Sequence, residues 1–419
     1  MTMRILSGQK YNLLERGIVT VPTAHAQLPK ERLYDGRPSR AHRSAGTAGG
    51  QYFKVDGNLL TDGVTNFGGF ESWSGGSPAG WTEQNSGTGE VTQETTIKNG
   101  GASSAKLSAG TGTAALVRYV VVKSGEIINI SSALYGSGYS YVWLQIYNPL
   151  TQHYLAPDGT WGAAADYRNQ ALAAWSVETG AITVENYAAC QSDLVSLRVT
   201  ILNVTSSAVV YADDIYVWPR INFLSVHGHN IDAGAAPVFM SSVNDFTTPT
   251  DEGYPPITLP SFYSLLSAGN QDRRYWALYV GNTNSLPIEI GELVIGYARQ
   301  PLQQFENPEE ASSRWDRQAN VTPGRERHVH KRSRWQIRNR VFHYRYFSDA
   351  DYADGAELFH LRPEGDTYPV VIVPDAARPT VIHGRLESTF SDSRDCTFGT
   401  IYNDVAVVLS ESPFASTAY

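Results

Sequence analysis

The sequence predicts an all-β protein built from several sandwiches, and three observations carry that expectation. Short alternating segments rich in Val, Ile, Thr and Tyr recur between dense turn signals. Glycine is high at 37 and tyrosine at 24, methionine is only 3, and charged residues are 18%, below the usual quarter for a globular chain. Only Ala350–His360 reads convincingly as a helix, with Asp349 or Asp351 as its cap and Tyr352, Leu358 and Phe359 on its apolar face. At 419 residues the chain is long enough for two or three separate cores.

Taken in order, residues 1–50 read as an extended N-terminal arm and the start of a split sandwich. Ile18–Val21 is a short strand candidate, and Pro22, Pro29 and Pro38 interrupt any regular element after it. The arm is expected to pack on a neighbouring domain or subunit. Gln51–Asp56 alternates as a strand, and residues 51–63 then fill with Gly-Asn and Asp-Gly turns. Residues 64–218 hold eight strand candidates: Gly89–Thr96, Ser103–Ser108, Ala114–Val122, Glu126–Tyr135, Tyr139–Tyr147, Ala181–Asn186, Val195–Asn203 and Ala208–Trp218. That number at that spacing implies a two-sheet jelly roll. Residues 219–300 give strands at Ile221–Ile231, Val238–Val243, Arg273–Val280 and Ile288–Ile295. Residues 301–322, rich in Gln, Glu, Asn and Pro, read as a linker. Residues 323–419 form a β-rich C-terminal assembly domain that includes the short helix.

Two stretches organise the middle of the chain. Asn66–Trp73 and Tyr211–Val217 read as the first and last strands of the inserted jelly roll, which brings Glu71 to Asp213 or Asp214. Three carboxylates beside Gly68-Gly69 suit a structural calcium, which takes six to eight oxygens; solvated strand-end acids closed by hydrogen bonds alone are the other reading. Tyr139, Tyr141 and Trp143 alternate and so share a sheet face, with Trp161 nearby. Such a row either stacks on sugar rings or fills a core or interface. His227-Gly-His229 with Asp232 lacks a third ligand at meaningful spacing and reads as a turn.

Charge is uneven. The chain carries −8, yet Arg314–Arg345 holds ten Lys or Arg against Asp316 and Glu326, a local +8. Within it Arg327, Lys331, Arg332, Arg334, Arg338 and Arg340 are the candidate assembly residues, facing an acidic neighbouring subunit. Nucleic acid is the less favoured partner, because neither interleaved aromatics nor a helix-turn-helix pattern accompanies the run. Cys190 and Cys396 fit no metal or redox motif and read as buried thiols. Met1–Leu6 lacks a secretory signal pattern, and no apolar run reaches the roughly 18 residues of a membrane span, so synthesis in the cytoplasm is the expectation. No nucleophile elbow, P-loop, zinc-protease or dinucleotide fingerprint appears, and a non-enzymatic protein is expected.

The motifs Asn66-Phe-Gly-Gly-Phe-Glu71, Gly80-Trp81, Gly101–Leu107 and Ala212-Asp-Asp-Ile-Tyr216 resemble carbohydrate-binding-module-like jelly rolls. That resemblance implies a β-sandwich, often with a structural calcium near its first and last strands. Around it, Leu33–Pro38, Phe53–Asp56, Ile221–Ile231, Arg274-Tyr-Trp276 and Ile290–Gly296 resemble a discoidin-like sandwich, and that resemblance implies a split domain in which residues 51–63 pair with 219–300 around the inserted jelly roll. The combination is similar to tailed-bacteriophage virion proteins of the tail tip, baseplate or fibre-attachment region. It implies a structural protein of the virion, assembled in the host cytoplasm as a symmetric oligomer with other virion proteins, whose jelly roll binds host surface polysaccharide. A capsid decoration or head-fibre protein, and the carbohydrate-binding region of a glycan-active enzyme, are the alternatives.

Overall fold

The computed structural model describes residues 4–6, 12–123, 125–136, 142–165, 169–170, 174–184, 194–205, 208–258, 261–266, 270–301, 310–318, 332–346, 369–386, 391–397 and 400–411. Among them the chain is strands throughout, apart from three 3-10 turns. The helix expected over 350–360 lies outside the described residues, as do Arg327, Lys331, Tyr139, Tyr141 and Cys190.

The middle of the chain is a two-sheet sandwich. One sheet runs Trp161–Gly162, His153–Leu155, Val142–Asn148, Leu194–Asn203, Ala114–Lys123, Thr82–Glu83; the other runs Ser176–Thr183, Ile127–Gly136, Val209–Pro219, Ser104–Ser108, Glu90–Glu94. Side chains alternate across a strand, and the alternation here is clean. Leu116, Val120, Val122, Leu144, Ile146, Leu197, Val199 and Ile201 turn inward against Ile128, Ile130, Leu134, Val210 and Val217. Their neighbours in sequence form the outer face.

The expected first strand needs correcting. Asn66–Glu71 is a loop, tied by Phe67 N donating to Leu60 O and by a single Thr61–Asn66 bridge. Phe70 takes φ 50°, the left-handed region that breaks a strand. Trp73–Ser74 then makes only a two-residue hairpin with Ser77–Pro78. The last strand, Val209–Pro219, stands where it was expected.

The insertion sits between two halves of a second sandwich. Ile18–Thr20 and Gln51–Asp56 join Tyr275–Val280, Pro237–Ser242 and Thr250–Gly253 in one sheet, over a second sheet of Ser261–Leu265, Phe223–His227 and Glu292–Gly296. Its core unites Leu13, Leu14, Leu33, Phe53 and Val55 with Leu224, Phe239, Phe262, Trp276 and Leu293. Residues 12–50 are therefore part of this sandwich: the apolar residues that recur there fill its core. Asn12 shows how tightly, donating to Leu293 O at 2.6 Å and accepting from Ile295 N at 3.1 Å.

The third unit is a sheet in the order Arg4–Leu6, Val370–Val373, Ile382–Leu386, Thr400–Glu411, Arg332–Tyr346, Glu310–Gln318, with Ser391–Thr397 on Thr400–Glu411. Residues near the N-terminus thus complete the C-terminal sheet. A second correction falls here. Glu310–Gln318, inside the expected 301–322 linker, is a strand paired with Arg332–Tyr346 from Glu310↔Val341 to Gln318↔Arg332. It ends the sheet, and an edge strand is held by one ladder of backbone bonds without the apolar alternation that marks a central strand.

Candidate functional site

Glu71, Asp213 and Asp214 do converge, on the backbone of residues 99–102. Asp213 is fully buried; its Oδ2 accepts from Asn99 N at 2.8 Å and Gly100 N at 3.1 Å, and its Oδ1 accepts from Asp214 N at 2.9 Å. Asp214 accepts from Asn99 Nδ2 at 2.9 Å and from the Tyr216 hydroxyl at 2.5 Å. Glu71 accepts Ala102 N on both oxygens, at 3.0 and 2.9 Å. Burial pushes the Asp213 carboxyl up to about 6 despite its N–H donors, with Asp214 beside it adding to the rise. Amide N–H groups repel a cation, and among the described residues no three His, Cys, Asp or Glu are placed to share a metal ion. These bonds make the three carboxylates a clasp on the 99–102 loop.

The clasp continues into the junction between the sandwiches. Tyr216, which bonds Asp214, lies under the Arg274 guanidinium at 3.6 Å, and Arg274 grips Asp56 with two bonds of 2.6 and 2.5 Å. Asp56 and Tyr216 stand at the two crossings where the chain enters and leaves the insertion. Leu59 N donating to Val217 O at 2.6 Å and Val217 N donating to Asn58 Oδ1 at 3.1 Å zip the same crossings together.

The His pair is structural, as its spacing suggested. His227 is buried between the hydroxyls of Ser225 and Ser261, at 2.9 and 3.1 Å, while His229 contacts Thr258 O and accepts from Ile231 N. Burial holds both rings well below the ordinary imidazole value, His229 near 4.

The aromatic signal resolves differently. Trp161 pairs with Leu155, packs half-buried against the core and donates its indole N–H to Thr183 O at 3.0 Å. Trp143 holds the register position opposite Leu202 on a strand of the outer sheet. The outer face of that sheet carries a row that sequence reading did not single out. Tyr154, Tyr147, Arg198 and Tyr119 are direct cross-strand neighbours in succession. Tyr154 and Tyr147 stack at 4.6 Å, the Arg198 guanidinium lies 4.5 Å from the Tyr147 ring, and Tyr119 is exposed. The next row is Gln145, Thr200 and Val117.

Two polar atoms on this face lack partners among the described residues. Arg198 Nε and Thr200 Oγ1 are buried and bonded to nothing among the described residues. A buried polar group left unpaired costs about 1–3 kcal/mol, so two together, beside the buried amide of Gln145, single this face out from the rest of the sandwich. The basic strand Arg332–Tyr346 carries Arg332, Arg334, Arg338 and Arg340 in the C-terminal sheet, remote in topology from this face.

No protein-family model matches the chain, and no curated protein matches it. Among solved structures it is similar to a xylan-binding domain from Paenibacillus barcinonensis, 16% identical, over 36% of this chain and 90% of that one, with a TM-score of 0.26. It is also similar to a carbohydrate-binding module solved with beta-1,4-galactotriose, 10% identical over 37% and 97% of the two chains, TM-score 0.26. A third likeness is to the enzymatically active domain of tailspike protein 4 of bacteriophage CBA120, 12% identical over 37% and 22%, TM-score 0.26.

Proposed function

We propose that the chain is a non-enzymatic structural protein that binds polysaccharide through the outer sheet face of its inserted sandwich. The observation that carries this reading is the pairing of stacked tyrosines with unpartnered polar groups on one face. Tyrosine rings pack on the C–H faces of sugars, and recessed hydroxyl, amide and guanidinium groups take the sugar hydroxyls. The candidate carboxylates are engaged by N–H groups in a clasp, which favours binding over hydrolysis. The setting proposed for it is the tail of a phage virion assembled in the host cytoplasm. There the C-terminal sheet with its basic strand would contact other copies and other virion proteins, and the inserted sandwich would be held toward host surface glycans.

The test is retention of the purified chain on immobilised polysaccharides. Tyr147→Ala should weaken retention on whichever polymer the parent binds by about tenfold, since a stacked aromatic contributes roughly 0.5–1.5 kcal/mol beyond its buried area. A variant that melts like the parent and is retained equally well removes this face from the reading.

A further inference from the structure

Resting on that reading, we infer that the polysaccharide is acidic and that Arg198 receives its carboxylate. The central strands of the outer sheet are Ala114–Lys123, Val142–Asn148 and Leu194–Asn203. Their sequences, AALVRYVVVK, VWLQIYN and LVSLRVTILN, contain no Asp or Glu. Among the described residues Arg198 is the one cation in the middle of that face, and Arg118, on the same strand as Tyr119, points the other way, donating to Gly80 O and Thr61 O. A neutral hydroxyl both donates and accepts, and a guanidinium can use only its accepting half, whereas a carboxylate accepts at both oxygens. The guanidinium's planar fork matches a carboxylate, and it offers donors only.

Three features tune it for that partner. Its guanidinium lies 4.5 Å from the centre of the Tyr147 ring, a contact that holds the fork in place on the sheet. Its Nε is shielded from water and bonded to nothing among the described residues while the residue as a whole is half-buried, so an anion at its reachable edge restores what burial removes. Thr200 Oγ1 and the Gln145 amide stand one row away, within the reach of one sugar ring whose carboxylate meets Arg198. The ligand class is therefore a glycan bearing a uronate or other carboxylated sugar.

The experiment uses the full chain and matched polymers: polygalacturonate, polyglucuronate and polymannuronate, each with its carboxyl-reduced counterpart, in an affinity gel at low and high salt. The expected result is retention on at least one polyuronate, at least tenfold weaker binding to its reduced form, and loss of the difference in Arg198→Gln. Tenfold corresponds to about 1.4 kcal/mol, at the low end for a hydrogen bond to a charged group. Arg198→Lys, which keeps charge but not the fork, should recover only part. Equal retention of the parent on acidic and reduced polymers overturns the inference and leaves the glycan reading standing. No retention on any of the six overturns it too, and failure on a further panel of neutral polysaccharides removes the glycan reading with it. The arm that compares polymers on the parent chain needs no variant, so a misfolded Arg198 variant does not shield the inference.

Discussion

Arg274→Ala should be among the most damaging single changes outside the apolar cores. Arg274 is 8% exposed and its two bonds to Asp56 are 2.6 and 2.5 Å; it also lies over the Tyr216 ring at 3.6 Å and the Tyr275 ring at 4.7 Å. Burial alone would pull its pKa down, yet the bonds to Asp56 and the Asp56 charge hold it above the usual value, so the cation is present at every working pH. Truncation leaves Asp56, with a side chain only 15% exposed, as an uncompensated charge at the domain crossing. Breaking one partner of such a pair costs about 3–5 kcal/mol, and the lost stacking adds about 1 kcal/mol. Asp56 still accepts from Asn58 N at 3.0 Å, which offsets a little of this. The expected loss is therefore about 3–5 kcal/mol. Urea unfolding of the full chain followed by tryptophan fluorescence reads it, because Trp276 is buried in the split-sandwich core and Trp218 lies at the junction. The chain has several cores, so more than one transition is expected and the loss belongs to the split sandwich. The double variant Asp56→Asn, Arg274→Met removes both charges and should lose far less than Arg274→Ala. A single-variant loss under about 1 kcal/mol, or a double variant as unstable as the single, would refute the reasoning.

Asp213 makes a pH-dependent contribution of defined sign. Burial lifts its pKa from 3.8 to about 6, so the folded chain binds that proton more tightly than the unfolded one; the stabilisation is complete below pH 3.8 and is lost as pH rises through about 6. Across that window the parent should lose on the order of 2–3 kcal/mol relative to Asp213→Asn, measured as urea midpoints at successive pH values; a constant gap between the two chains contradicts it. Gly101→Ala should cost about 1–2 kcal/mol, since φ is +56° and the new Cβ would fall 1.7 Å from Glu71 Oε1. The mobile end of Glu71 can swing away, so adding Glu71→Ala should recover only the clash and not the backbone strain, and an unchanged melting temperature for Gly101→Ala would show that the clasp is looser than its geometry.

Much of the fold was legible because it follows from period-two burial. Leu194–Asn203 buries Val195, Leu197, Val199 and Ile201 on one side, and its alternation is plain in the sequence. The insertion was legible for a different reason: Glu71 lies in a turn-rich boundary, and Asp213-Asp214 interrupts an otherwise apolar strand where its pairing shifts register. What the sequence concealed was conformation without a local signal. Phe70 adopts φ 50° with its ring fully buried and stacked on Trp81 at 5.4 Å, so tertiary packing overrides the preference of an aromatic residue for extended backbone. Glu310–Gln318 becomes a strand through backbone pairing that composition does not encode.

The proposed binding face was hidden by the same alternation that revealed the strand. Reading Leu194–Asn203 as half-buried assigns its polar set, Ser196, Arg198 and Thr200, to solvent, where an arginine and a threonine call for no explanation. Only the register, placing Arg198 between Tyr119 and Tyr147 and Thr200 beside Gln145, turns that polar set into a recess with unmade hydrogen bonds. A signal was present in composition: in a chain with 18% charged residues, three adjacent strands without one carboxylate leave Arg198 uncompensated on its own face. Charge that is scarce elsewhere and unpaired here is more economically explained by an absent anion than by chance exposure. That is why the chemistry of the glycan, rather than its mere presence, is the sharper thing to measure.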